Sequence, residues 1–390
     1  MQKIELESKS NCTILGLIGK KIKISFPFIP LIFLILSCTS EPYHSNISSV
    51  CREDEILIVA LGKTGIIDMQ DGTIQNKFQN EELINFQGVF TKERKIKLSP
   101  YVMSKNLVPN ELYSKHMGTS YEKNHDDFPV EQVSWYQAIV FCNEYTKSVF
   151  GKNHCVYYSD KNLNKVYTKE DSESFLPVYA AYDYGTKKFT KKGFRLPTEA
   201  EWEFAARGGN PNSEKWNYTF SGADCSDSIY NPKNQTNDDD NPIYTKNGKS
   251  WVKGFLFIDP VLKDYANTIL KFSDDDIYSS TKCGSKNPNS LGLYDMSGNL
   301  FEWCWDGYDD EYGFNANAYD ILYKKAGWIL NPLGNESEEN HIIKGGAYNS
   351  YTYTCCVAYR DYCSSQNKQK EKTGIRLVRS IEGDAVKVNE

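Results

Sequence analysis

The chain has 390 residues, 40% of them hydrophobic, with a formal charge of −6 and a pI of about 5.6. That length accommodates one large domain or two small ones, each with its own core. The mild acidity excludes a general nucleic-acid binder, which needs a concentrated basic face. Lys187-Lys188 and Lys191-Lys192 are short basic pairs mixed with aromatics, and they read as solvated surface. Aromatic residues reach 14%, with 27 tyrosines against 7 tryptophans. Such a composition fits either recognition of another molecule or half-buried positions in a loop-rich fold.

At the amino terminus, Lys20, Lys21 and Lys23 precede an apolar run from Ile24 to Leu36 that stops at Ser37-Cys38. As a helix the run reaches only ~20 Å, short of the ~30 Å hydrocarbon core of a bilayer. Pro27 and Pro30 oppose a buried soluble helix. A charged n-region, a short apolar h-region and small residues at the cut match a secretory signal. Leu34-Ile35-Leu36-Ser37-Cys38 resembles a bacterial lipobox, whose cysteine is diacylated and becomes the new amino terminus; Ile35 and Leu36 depart from the commoner residues. The expected divisions are a signal peptide over 1–37, a polar tether over 38–55, a short extension over 56–84, a main domain over 85–382 and a tail over 383–390. The expected location is the bacterial cell envelope, periplasmic or surface-exposed, held to the membrane through a lipid on Cys38.

Export frames the 11 cysteines. Cleavage before Cys38 removes Cys12 and lipidation occupies Cys38, so nine remain and at least one thiol has no disulfide partner. No Cys-x-x-Cys occurs, and the spacings match no zinc ribbon or finger.

In chain order, Ile56 to Leu61 predicts a strand, followed by Gly62-Lys63-Thr64. Leu57 stands where a phosphate loop needs its first glycine, so a strand and a glycine turn are expected there. Ser134 and Gln137 form a capping box ahead of a helix to about Lys147, with Trp135, Ala138, Ile139 and Cys142 as its buried stripe. Thr198 and Glu201 repeat the device, with Trp202, Ala205 and Ala206 inward and Gly208-Gly209 ending the helix. About fifty residues between the helices hold either short strands or a surface insertion. The Asp238-Asp239-Asp240 and Asp274-Asp275-Asp276 triplets read as solvated loop, because consecutive acids do not converge on one ion without a wrapped loop. If Arg195 or Arg207 is buried, it requires a carboxylate partner. Leu291 to Tyr294 predicts a short strand, and Asp295 to Glu302 a glycine-containing turn with Trp303 behind it.

Four segments carry a family resemblance. They are Pro129 to Trp135 with Ala138 and Cys142-Asn143; Phe194 to Gly209, which reads FRLPTEAEWEFAARGG; Asn287 to Trp303, which contains LGLYDMSGNLFEW; and Lys344 to Tyr348, closed by Gly374 to Val378. Together they resemble the sulfatase-modifying-factor, or formylglycine-generating-enzyme-like, family from about residue 85 to 380. The resemblance implies an α+β fold of the distorted C-type-lectin-like kind, with few helices, short twisted strands and much ordered loop.

The resemblance further implies calcium at the third segment, through Asp295, the carbonyls of Gly298 and Leu300, and Glu302. Oxygen-only ligands from a tight turn suit that cation. In the alternative, Asp295 caps the turn and Glu302 pairs with an arginine. For catalysis, active members bind copper(I) through two cysteines five residues apart after the Gly-Gly strand, and convert a substrate cysteine to formylglycine. By position the second cysteine is Cys355 and the first is Ser350, a hydroxyl that ligates copper(I) poorly. Cys356 and Cys363 are the remaining thiols nearby. The iron site of the sulfoxide-synthase relatives has no counterpart in the scattered histidines. Where the oxidases place their active-site loop, Tyr348, Asn349, Ser350, Tyr351 and Tyr353 compose a paratope-like stretch, or else tyrosines that pack inward. The reading is therefore an exported binding or envelope-scaffold module for an unknown protein or surface ligand, with a copper-dependent oxidase as the alternative.

Labelled palmitate should enter the chain when it is expressed in bacteria. Cys38→Ala should abolish the label and leave an uncut precursor on a denaturing gel; a labelled Cys38→Ala protein would exclude this anchor.

Overall fold

The computed structural model describes residues 51–60, 66–68, 88–90, 95–224, 243–246, 249–252, 261–269, 278–308, 328–334, 339–350, 352–366 and 372–381. The signal region with Cys38, the Gly62-Lys63-Thr64 turn, both aspartate triplets and Tyr351 lie outside these residues. Among the described residues no helix is long and apolar enough to cross a membrane.

Among the described residues, seventeen short strands and five α-helices make up the order. The first sheet runs β1 (Glu55–Ile58), β4 (Tyr101–Ser104), β17 (Val378–Ser380), β9 (Phe194–Arg195), all neighbours antiparallel. The second runs β15 (Asp361–Ser364), β14 (Asn340–Lys344), β12 (Phe301–Gly307), β16 (Thr373–Gly374), with the last pair parallel. A third joins β13 (Ile329–Leu330), β3 (Lys95–Lys97) and β2 (Ile66–Asp68). Two-stranded pairs are β5 (Tyr157–Tyr158) with β6 (Tyr179–Ala180), β7 (Tyr182–Asp183) with β8 (Lys188–Phe189), and β10 (Ile243–Lys246) with β11 (Lys249–Val252). The helices are α1 (Asn110–Met117), α2 (Trp135–Val149), α3 (Lys169–Glu173), α4 (Glu199–Ala206) and α5 (Leu262–Tyr265).

Both expected capping boxes form. Ser134 Oγ accepts from Gln137 N at the start of α2, and Thr198 Oγ1 accepts from Glu201 N at the start of α4, each with the reciprocal bond. The region between the helices is built of short strands and α3, which has a third capping box on Thr168. Leu291 to Tyr294 is not a strand. Asn289 Oδ1 accepts from Leu291 N and Leu293 N, and Asn289 N donates to the Leu293 carbonyl, closing a turn that local apolar alternation cannot reveal.

Strand β12 divides the core by its period of two. Phe301, Trp303 and Trp305 face α2, where they meet Trp135, Ile139, Ile343 and Leu377. Cys304 faces the opposite core with Trp202, Phe204, Met103 and Ile342. Glu302 and Asp306 share that second face, so acids enter an apolar layer.

The buried acids of α4 are answered. All eight residues of α4 are buried, including Glu199, Glu201 and Glu203. Glu201 takes a bidentate pair from Arg195, both bonds 2.7 Å. Arg207 Nε and Nη2 donate to Glu203 Oε1 at 2.9 and 2.7 Å, and Glu203 Oε2 accepts from Val89 N. Burial alone would raise the Glu203 carboxyl, yet Arg207 and Lys344 hold it below its usual value. Glu199 is bonded by Arg360, and Lys344 Nζ lies 3.7 Å from Glu199 and 3.6 Å from Glu203. Asp306 accepts from Glu199 N, capping α4 from β12; burial and then the Glu199 charge push its carboxyl up to about 7.

Arg376 completes the set. Its Nε and Nη2 donate to Glu302, Nη2 also to the Tyr294 carbonyl, and Nη1 to the carbonyls of Ser104 and Lys105. All donors of the guanidinium are used. One side chain thereby ties β4, the 291–300 segment and β12 together.

Removing Arg376 alone should leave Glu302 as an uncompensated buried charge. Arg376→Met is expected to lose about 3–5 kcal/mol in urea unfolding, and Arg376→Met/Glu302→Leu to recover most of it. Equal losses in the single and double variants would deny the pair this role.

Candidate functional site

The loop after β14 begins with Gly345 and Gly346, at φ 92° and 72°. A side chain at Gly346 would stand 2.5 Å from Cys355 Sγ, so glycine lets the backbone lie against that thiol. Ala347 closes a turn by accepting from Ser350 N, and the chain continues into a 3₁₀ turn over Thr352–Cys355.

Cys355 is fully buried, in a small apolar cluster with Phe220, Ala223, Leu262 and Ala266. Its thiol donates to Thr268 Oγ1 at 3.4 Å, and Thr268 Oγ1 donates to the Ser350 carbonyl at 2.7 Å. Ile269 N also donates to that carbonyl. Thr268 thus bridges the two positions that the resemblance assigns to a copper pair. Burial pushes the Cys355 thiol up to about 11, so with no metal bound it is a protonated thiol and a poor nucleophile. Cys363 belongs elsewhere: it sits on β15 opposite His341 and packs in the α2 core. Thr268 was not legible in the sequence, because a lone threonine 87 residues before Cys355 carries no local signal.

Of the paratope-like residues, Tyr348 is buried. Its hydroxyl donates to Glu131 Oε2 at 3.2 Å, and Lys372 Nζ stands 5.8 Å from its ring centroid. Asn349 is exposed, while Ser350 and Tyr353 are half-buried. Glu131 in turn lines a groove of about 470 Å³ with Tyr121, His125, Gln137 and Ser280.

The acidic turn is clamped from both sides. Gly298 N donates to the Gly345 carbonyl, and Asn299 N to the Asn267 carbonyl. At φ 82°, a side chain on Gly298 would strike that Asn267 carbonyl at 2.4 Å. Asp295 is buried at φ 57°; its Oδ2 accepts from Gly284 N, while Oδ1 has no hydrogen-bond partner. Burial raises its carboxyl. An orphaned oxygen suits a hard cation. Glu302 does not: Oε1 accepts from Arg376 Nε and Nη2, and Oε2 from Arg376 Nε and Trp202 Nε1 at 2.6 Å. Four bonds fill that carboxylate. Among the described residues, no group of three or more His, Cys, Asp or Glu side chains is arranged to hold a metal ion.

Short sheets, two capped helices and long ordered loops define a distorted C-type-lectin-like α+β domain. The family described as "Sulfatase-modifying factor enzyme 1-like domain" matches residues 62–381, and the chain belongs to it. The chain is 26% identical over 291 residues to the chaperone protein LppX of Paenibacillus barcinonensis, covering 74% of this chain and 83% of that protein. It is 25% identical over 197 residues to the formylglycine-generating enzyme of Streptomyces coelicolor, covering 50% of this chain and 49% of that enzyme. The chain thus spans about half the length of that enzyme. Treponema denticola variable protein 1 has a similar fold, with a TM-score of 0.52 at 23% identity, over 83% of this chain and 94% of that one.

In native protein, iodoacetamide should leave Cys355 unmodified at pH 8 and label it once urea unfolds the chain. Peptide mass mapping reads both states, and rapid native labelling would show an accessible, ionised thiol.

Proposed function

We propose that the chain is an exported, lipid-anchored module that binds or scaffolds another envelope component, and that it does not perform copper oxidase chemistry. The observation that supports this reading is Ser350, at the position the resemblance gives to the first copper ligand; its backbone carbonyl accepts from Thr268, which accepts from the buried Cys355 thiol. A hydroxyl is a poor ligand for copper(I), which prefers paired thiolates. The likeness to a protein named as a chaperone, over 83% of that protein's length, favours binding over catalysis. The partner is a protein or surface ligand, and the contact surface includes Asn349, Ser350 and Tyr353 beside the Glu131 groove. Calcium enters the proposal through Asp295, whose unbonded Oδ1 is the observation in its favour, with the Gly298 and Leu300 carbonyls. Glu302 joins such a site only by releasing Arg376.

Copper(I) titration of the reduced full-length protein against a chromophoric chelator tests the reading. No stoichiometric site is expected. Tight one-to-one binding that disappears in Cys355→Ala would overturn the proposal in favour of an oxidase, as would formylglycine formed on a cysteine-bearing substrate peptide.

A further inference from the structure

A sizeable cavity lies away from the Cys355 loop. It has a volume of about 710 Å³ and lies between the β7–β8 hairpin, β9 and the end of β17. That size is within the ~300–1,000 Å³ typical of ligand pockets. Lys187, Lys188, Lys191 and Lys192 all line it, so the two basic pairs read as solvated surface share one concave wall. The single lining carboxylate, Glu201, is already neutralised by Arg195. Four lysines thus share one cavity wall, in a chain of net charge −6.

Two further donors stand in the same wall with nothing to bond. Arg195 is 1% exposed and its Nε has no acceptor, although its other nitrogens hold Glu201. The Tyr182 hydroxyl is buried without a partner. Burial pushes the Tyr182 phenol far above its usual range, so it serves as a donor. Unsatisfied buried donors are costly, and an acceptor arriving with a ligand would satisfy both. An apolar patch of Leu98, Pro100, Phe189, Leu333 and Ile381 shares the wall with polar groups such as Asn153, Thr190 and Asn331. Phe189 lies flat over the Arg195 guanidinium at 4.0 Å, holding the fork in place.

We infer that this cavity binds a short acidic peptide segment, with one carboxylate at Arg195 Nε and the Tyr182 hydroxyl and further acids along the lysine wall. The apolar residues beneath take the intervening side chains. A lone inorganic anion leaves the apolar patch and most of the lysines unused. A lipid surface is flat, whereas this site is concave. The site is separate from the Cys355 loop and stands independently of the function proposed above.

Fluorescence anisotropy of the full-length protein with a labelled peptide alternating Glu and Leu reads the binding at low salt. The Glu peptide should bind at least ~10-fold tighter than its Gln counterpart, and Lys188→Glu/Lys191→Glu should remove that margin. Tyr182→Phe, which deletes one hydroxyl, should weaken binding by roughly threefold to tenfold. Lys115→Glu/Lys123→Glu, exposed positions outside this cavity, should leave it unchanged. Equal affinity for the Glu and Gln peptides would overturn the inference. So would an equal loss in the Lys115/Lys123 variant, which reduces the effect to net charge. Lysine-dependent binding to phosphatidylglycerol vesicles or inorganic phosphate, without peptide binding, would also overturn it. If the Lys188/Lys191 variant does not fold, Tyr182→Phe decides alone.

Discussion

A carboxylate in an apolar interior has to be met by a cation or by backbone donors, and this domain is organised around that requirement. Arg376 meets Glu302, Arg195 meets Glu201, Arg207 meets Glu203, and Arg360 with Lys344 meets Glu199. These pairs lie where the short strands are too brief to fix one another. Strands of two to seven residues carry few ladder bonds, so side-chain forks set the geometry that longer sheets would set by register. Arg376 is the extreme case, holding four backbone carbonyl or carboxylate neighbours from three separate chain segments.

The same network shapes the functional face. The second sheet puts Glu302 under α4 and, one strand away, delivers Gly345 and Gly346 to the thiol of Cys355. Thr268 joins the backbone of Ser350 to the thiol of Cys355, so this loop too is held by side-chain hydrogen bonds. Its chemistry is set by the few side chains it carries and not by the frame, because fold and site are separable.

Much of this was legible in advance where the signal is local. Ser134 with Gln137 and Thr198 with Glu201 are three residues apart, and the capping geometry follows from helix pitch alone. Arg207 lies four residues from Glu203 on the same helical turn, so a buried pair was foreseeable once burial was granted. The Leu291 to Tyr294 segment misled because its apolar alternation imitates a strand, whereas Asn289 folds the backbone onto itself. Lys187 to Lys192 are surface residues as read, but a basic run does not show that its members share one cavity wall.

By itself the sequence determined the capped helices, the inward stripe of α2, the acidic turn and the presence of a hydroxyl at residue 350. Each of these depends on residues a few positions apart. Tertiary structure alone decided that Glu302 belongs to Arg376, 74 residues away, and that Thr268 lies against Cys355, 87 residues away. It alone decided that Arg195 and Tyr182 present unbonded donors to a lysine-walled cavity. The reason is that a buried polar group takes whichever partner the packed chain brings within about 3 Å, and sequence separation does not enter that selection.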